Sequence, residues 1–184
     1  RRPFSLRRSN PVGALKVFAS YRGVVPLAAV MFAYFLATSV YPAIWAFWGI
    51  ARFGWSEAMI GLTLAAFGLI TAIIQGTLTG PTVKWLGEKT TVIFGLAVSV
   101  IAAAGYAWAP GLLAVMVLLV IHAPEGFVHP ALTAMMSKSA PPDAQGELQG
   151  GIASLQSIAM LIGTVFFAQV FGWFMQPTSP IVTP

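Results

Sequence analysis

Five nearly charge-free stretches, each about as long as a bilayer is thick, fill this chain of 184 residues. At 1.5 Å rise per residue, about twenty apolar residues in a helix cross a hydrocarbon core of about 30 Å. The expected fold class is therefore all-α, a polytopic transmembrane helix bundle. Composition agrees: 58% of residues are hydrophobic and 8% charged, with a mean hydropathy of +0.82, whereas a soluble domain is about one-quarter charged. There is no cysteine, which excludes disulfides, thiolate metal sites and cysteine nucleophiles.

The spans are read at 24–50, 58–79, 90–108, 112–137 and 148–175, forming one bundle over 24–175. Residues 1–23 read as a basic cytoplasmic linker, and 176–184 as an external stub where a fragment ends. Orientation follows from the cations. Arg1, Arg2, Arg7, Arg8, Lys16 and Arg22 precede the first span, Lys84 and Lys89 follow the second, and Lys138 follows the fourth; Arg52 alone falls on the other side. The positive-inside rule puts the nine in the cytoplasm, hence an N-terminus inside and a C-terminus outside. The expected location is a bacterial inner membrane. Trp45, Trp48, Trp55, Trp108 and Trp173 are expected to form an aromatic belt at the outer boundary, with Phe47 anchoring beside them. The net charge of +5 lies mostly beside a hydrophobic span, where anionic lipid is the expected partner and nucleic acid is not.

Ionisable residues inside a span cost several kcal/mol and mark functional sites. The fourth span carries His122, Glu125 and His129, whose three- and four-residue spacing puts them on one side of a helix. Pro124 and Pro130 remove backbone donors and invite a kink, and a broken polar helix lines a cavity. Three readings stand together: a proton-carrying or substrate-contacting face centred on Glu125, a buried cluster that fixes packing, and a metal site of two imidazoles and a carboxylate. Gln75 and Gln156 are expected cavity-lining donors, because an unpaired amide is costly in lipid. The span hydroxyls Thr38, Ser39, Thr71, Ser99 and Ser157 are expected to be satisfied by their own helix or a neighbour, most of them as packing groups. Small residues at fourfold spacing, Gly146, Gly150 and Ser154 in the fifth span and Gly95, Ser99 and Ala103 in the third, are expected at close helix contacts. No phosphate-cradling glycine loop or hydrolytic triad is present, so no cofactor is expected and the chain does not read as an enzyme.

Three segments, in order, are similar to the C-terminal half of major facilitator superfamily transporters, and within them to the tetracycline-resistance branch of drug/proton antiporters. The first runs from Arg52-Phe53-Gly54-Trp55 through Ile60 to Gly68, Gln75 and Thr79-Gly80-Pro81. The second is Leu86-Gly87-Glu88-Lys89, and the third is Pro130-Ala131-Leu132, Met136-Ser137 and Gln145 to Gly150. The resemblance implies spans seven to eleven of a twelve-helix protein, with the N-terminal half and a last helix missing. It implies a secondary active transporter exporting a small amphipathic, tetracycline-like compound in exchange for protons by alternating access. The partners would be substrate, protons, membrane lipid and the rest of the same transporter. Gly80, Lys84, Gly87, Glu88 and Lys89 would form its conformational loop motif, although Lys84-Trp85 stands where that motif has an acidic and a basic residue. The branch also carries a histidine and an aspartate where this chain has Thr71 and Ser99, so no role carries over to those two. The other readings are a metabolite importer of the same superfamily, or a non-transporting membrane protein with an intramembrane His/Glu metal site.

Overall fold

The computed structural model describes residues 16–21 and 23–176, and all its regular elements are helices. Most of the linker expected over 1–23, and all of the stub over 176–184 but Gln176, lie outside the described residues, and the described part of the linker includes a short helix. In chain order the helices are α1 (Lys16–Ser20), α2 (Val24–Thr38), α3 (Val40–Phe53), α4 (Glu57–Thr77), α5 (Thr79–Leu86), α6 (Glu88–Trp108), α7 (Leu112–His122), α8 (Val128–Lys138) and α9 (Gln145–Phe174). A 3-10 turn, Ala123–Phe127, joins α7 to α8, and another, Pro142–Ala144, leads into α9. Five stretches are long and apolar enough to cross a membrane: Val24–Phe53, Glu57–Thr77, Glu88–Trp108, Leu112–Lys138 and Pro142–Phe174.

The ends differ from the expected bounds where polar residues cap or extend a helix. The second span starts at Glu57 because the Ser56 hydroxyl accepts from the Met59 amide at 3.4 Å, closing the first turn. The fifth starts at Gln145, whose side-chain amide donates to the carbonyls of Ser137, at 2.8 Å, and Ala140, at 3.1 Å. The expected loop 80–89 is largely helical. Gly80 and Lys84 lie in α5, Glu88 and Lys89 open α6, and Gly87 turns the chain between them at φ +78° and ψ 159°, a conformation that only glycine adopts freely.

Two compact units divide the chain, Arg1–Phe47 with Met136–Pro184, and Trp48–Met135. In the first, α2 packs along α9 and α1 rests on both. A Cβ at Gly163 of α9 would collide with the Ser39 hydroxyl and lie 2.8 Å from the Leu36 carbonyl, so the two backbones approach as closely as glycine permits. The expected Gly146, Gly150 and Ser154 stripe does not make that contact: nothing lies within 4 Å of a Cβ at Gly146 or Gly150. In the second unit, α4 and α6 both pack on the 3-10 turn, α7 pairs with α4 and α6, and α5 bridges α4 and α6. Here the other stripe behaves as expected at Gly95, where a Cβ would meet Val128 Cγ2 at 2.6 Å and the Pro124 carbonyl at 3.3 Å.

The tryptophans do not make a uniform belt. Trp108 and Trp173 are exposed, but Trp45 and Trp55 are buried. Trp48 meets Phe53 and Trp55 edge-on at centroid distances of 5.2 and 5.8 Å, and Phe53 stacks on Trp55 at 5.3 Å. The rings of this turn thus contact one another, while Phe47, Trp108 and Trp173 of the expected set are exposed, at 62%, 79% and 50%.

Candidate proton site in the fourth span

Pro124 and Pro130 shape this site. Neither can donate a backbone hydrogen bond, so a continuous α-helix through 120–130 would lose two rungs. The span winds instead as a 3-10 turn over Ala123–Phe127 before resuming as α8. The turn is buried, with α4 on one side and α6 on the other.

At its start His122 is 1% exposed, and Glu125 is 7% exposed. His122 Nε2 lies 3.1 Å from Glu125 Oε2. An isolated carboxylate here would be very costly, and the imidazole is the group that offsets it. The other contacts of the ring come from α6 and α4. The Tyr106 hydroxyl is 3.4 Å from Nδ1, Ser99 Oγ is 3.5 Å from Nε2, and Phe67 stacks on the ring at 5.2 Å. Nε2 faces an acceptor and therefore carries hydrogen when the carboxylate is ionised. Nδ1 then accepts from the Tyr106 hydroxyl, and on protonation donates to it, so both charge states of the ring have a partner. The arrangement can hold one proton, on the imidazole or on the carboxylate, away from water.

Of the expected site residues, the structure brings His122, Glu125 and Gln75 to this turn. Gln75 Nε2 donates to the Gly126 carbonyl at 3.1 Å, rather than standing as a free cavity donor. His129 is half-buried in α8, beyond the turn. A 3-10 turn winds more tightly than an α-helix, so the uniform pitch assumed for all three groups does not run through this segment. Among the described residues no three His, Asp or Glu side chains are placed together to hold a metal ion. Gln156 belongs to the other unit, where its amide touches Met160 Sδ at 4.0 Å along its own helix. The loop-motif residues Gly80, Lys84, Gly87, Glu88 and Lys89 lie at the α5–α6 junction and not at this cluster. A separate apolar cavity of about 730 Å³ at the turn between α6 and α7, lined by Gly105, Trp108, Leu112 and Leu118 among others, includes none of the expected site residues.

Three members of the site were not foreseen as such. Tyr106 and Phe67 gave no sequence signal, because aromatic residues are ordinary in an apolar span. Gly126 did give one: Pro130 lies four residues beyond it, which marks its carbonyl as lacking a helical donor. Thr71 and Ser99, where the resemblance expects a histidine and an aspartate, both border the cluster. Thr71 Cγ2 would lie 3.0 Å from a Cβ at Gly126, and the Thr71 hydroxyl is buried without a hydrogen-bond partner. The imidazole and carboxylate thus reach the same neighbourhood from the fourth span.

Residues 1–164 match the family model described as Major Facilitator Superfamily. The chain is 37% identical over 174 residues to "Tetracycline resistance protein, class C" of Escherichia coli, covering 93% of this chain and 43% of that protein. It is 36% identical to the class G protein of Vibrio anguillarum, covering 89% and 42%, and 32% identical to the class H protein of Pasteurella multocida, covering 71% and 32%. The chain therefore spans less than half the length of these relatives. No solved structure matches it.

Proposed function

Because the chain belongs to the Major Facilitator Superfamily, we propose that it forms part of a secondary active transporter that exports a small amphipathic compound in exchange for protons. The observation that carries the coupling is the buried contact of His122 with Glu125 at 3.1 Å, in a span otherwise free of charge between its ends. An acid and a base that share one proton inside a low-dielectric bundle load and release it as the access to them changes, which is what alternating access requires. The tetracycline-resistance relatives support a drug as substrate, and the basic residues support a cytoplasmic N-terminal side in a bacterial inner membrane.

The test uses the full-length protein reconstituted in vesicles. Glu125→Gln keeps the shape of the side chain and removes its titration. Substrate movement driven by a pH gradient collapses, while substrate exchange without a gradient continues. An unchanged gradient-driven rate at normal protein levels assigns Glu125 to packing and sends the coupling elsewhere. Orientation is checked separately by single cysteines at Ser56 and Ser139: in intact cells an impermeant thiol reagent labels the first and spares the second, and the reverse pattern inverts the topology.

A further inference from the structure

Pro130 deprives one carbonyl of its helical donor. In an α-helix the amide of residue 130 would serve the carbonyl of Gly126, and proline has no such hydrogen. Gly126 is buried, and an unmet backbone acceptor in lipid costs several kcal/mol. The group that reaches it is Gln75 Nε2, at 3.1 Å from a helix 51 residues earlier in the chain.

The fit is tight around that bond. A Cβ on Gly126 would stand 2.7 Å from Gln75 Nε2 and 3.1 Å from its Cγ, so the absence of a side chain at 126 is what admits the amide. On the opposite side Gly95 of α6 leaves room for the turn: a Cβ there would lie 3.3 Å from the Pro124 carbonyl and 3.6 Å from Glu125 Cα. Glu125 therefore sits on a backbone segment pressed against α6 at one face and tied to α4 at the other.

We propose that Gln75 is a positioning residue for the proton site: its amide replaces the backbone donor that Pro130 removes, and so fixes the turn that presents Glu125 to His122. Its function is not to contact substrate. The titratable groups facing the His122 ring are Glu125 from its own span and Tyr106 from α6, while α4 presents Phe67, which does not titrate. The charges of the neighbouring helices, Glu57 on α4 and Glu88 and Lys89 on α6, lie in first turns about three turns from Phe67 and Ser99. A change in the pH profile on altering Gln75 thus reports movement of the turn. The transport readout rests on the proposed role of Glu125, but the stability readout does not.

The experiment is a double-mutant cycle on the full-length protein with Gln75→Leu, Pro130→Ala and both together. Gln75→Leu slows gradient-driven transport about fivefold, the factor that one net hydrogen bond represents, shifts its pH profile, and lowers the thermal midpoint in detergent. Restoring an amide at 130 makes Gln75 dispensable, so in the Pro130→Ala background the same change costs less than half as much in midpoint and leaves the profile where Pro130→Ala alone puts it. If Pro130→Ala itself abolishes transport, the midpoints alone decide. Equal losses in both backgrounds overturn the proposal, since Gln75 then acts on something other than the orphaned carbonyl. Were Glu125→Gln to retain coupled transport, the coupling role proposed for Glu125 would fail while the midpoint cycle still judged Gln75.

Discussion

The two units satisfy their polar groups differently. In the unit built on α2 and α9, the hydroxyls turn back on their own helices: Thr38 to the Phe35 carbonyl, Ser39 to that of Leu36, Ser154 to Gly150 and Ser157 to Ala153. The unit containing α4, α6 and most of the fourth span has such local bonds as well, but it adds bonds between the middles of spans, Gln75 to Gly126, Ser99 to His122 and Tyr106 to His122, whereas the bond between spans in the first unit, Gln145 to the Ser137 carbonyl, joins two helix ends. A local bond survives any movement of its neighbours. A bond between spans exists only in one arrangement of them, so it records, and resists, a change of arrangement. On the function proposed above, the helix-local hydroxyls of the first unit serve packing and the cluster around His122 serves coupling.

The sharpest test of this contrast lies in the first unit. Gly163→Ala drives a methyl group into the Ser39 hydroxyl and the Leu36 carbonyl, a backbone atom that cannot rotate away. The expected loss is about 3 kcal/mol, the upper end for overpacking, seen as a lower thermal midpoint of the purified full-length protein; transport per folded molecule stays unchanged. A defect in coupling from this substitution would break the division. Gly126→Ala follows, at about 1–2 kcal/mol, because the obstructing Gln75 side chain can swing aside by giving up its bond. Here gradient-driven transport falls more than stability, measured on matched amounts of folded protein. Tyr106→Phe ranks third. It removes the hydroxyl 3.4 Å from His122 Nδ1 and keeps the ring beside Trp48, so gradient-driven transport drops at most about fivefold and exchange without a gradient stays normal. Equal loss of both would assign Tyr106 to the substrate path. The smallest effect belongs to Gly150→Ala, which faces open space on α9 and raises the midpoint by the equivalent of about 0.5–1 kcal/mol through helix propensity alone. A destabilised Gly150→Ala protein would revive the close contact expected from that stripe.

Much of the fold was legible because each span announces itself by length and hydropathy, two properties that no neighbour can override. The ends were less so: Ser56 and Gln145 extend helices through side-chain bonds that a hydropathy reading ignores. At the site, the identity of Glu125 and His122 was legible and their partnership followed from a three-residue spacing. The winding between Glu125 and His129 was not legible, because spacing arguments assume a uniform pitch and the span passes through a 3-10 turn there. The need of the Gly126 carbonyl could be read from Pro130. Which donor would answer it could not, since Gln75 is distant in sequence and any polar span residue was a candidate. The burial of Trp45 and Trp55 was not legible for a related reason. Their preference for an interface is an average, and in the turn around Trp48, Phe53 and Trp55 the rings have each other.

The contact of His122 with Glu125 has an electrical consequence. With one proton bound, an imidazolium beside a carboxylate and a neutral imidazole beside a carboxylic acid both sum to zero charge; with that proton gone, the pair carries one negative charge. The membrane potential exerts about 2.3 kcal/mol per elementary charge per 100 mV. On the coupling role proposed above, a voltage across the bilayer therefore exerts a net force on the unloaded pair and none on the net charge of the loaded one.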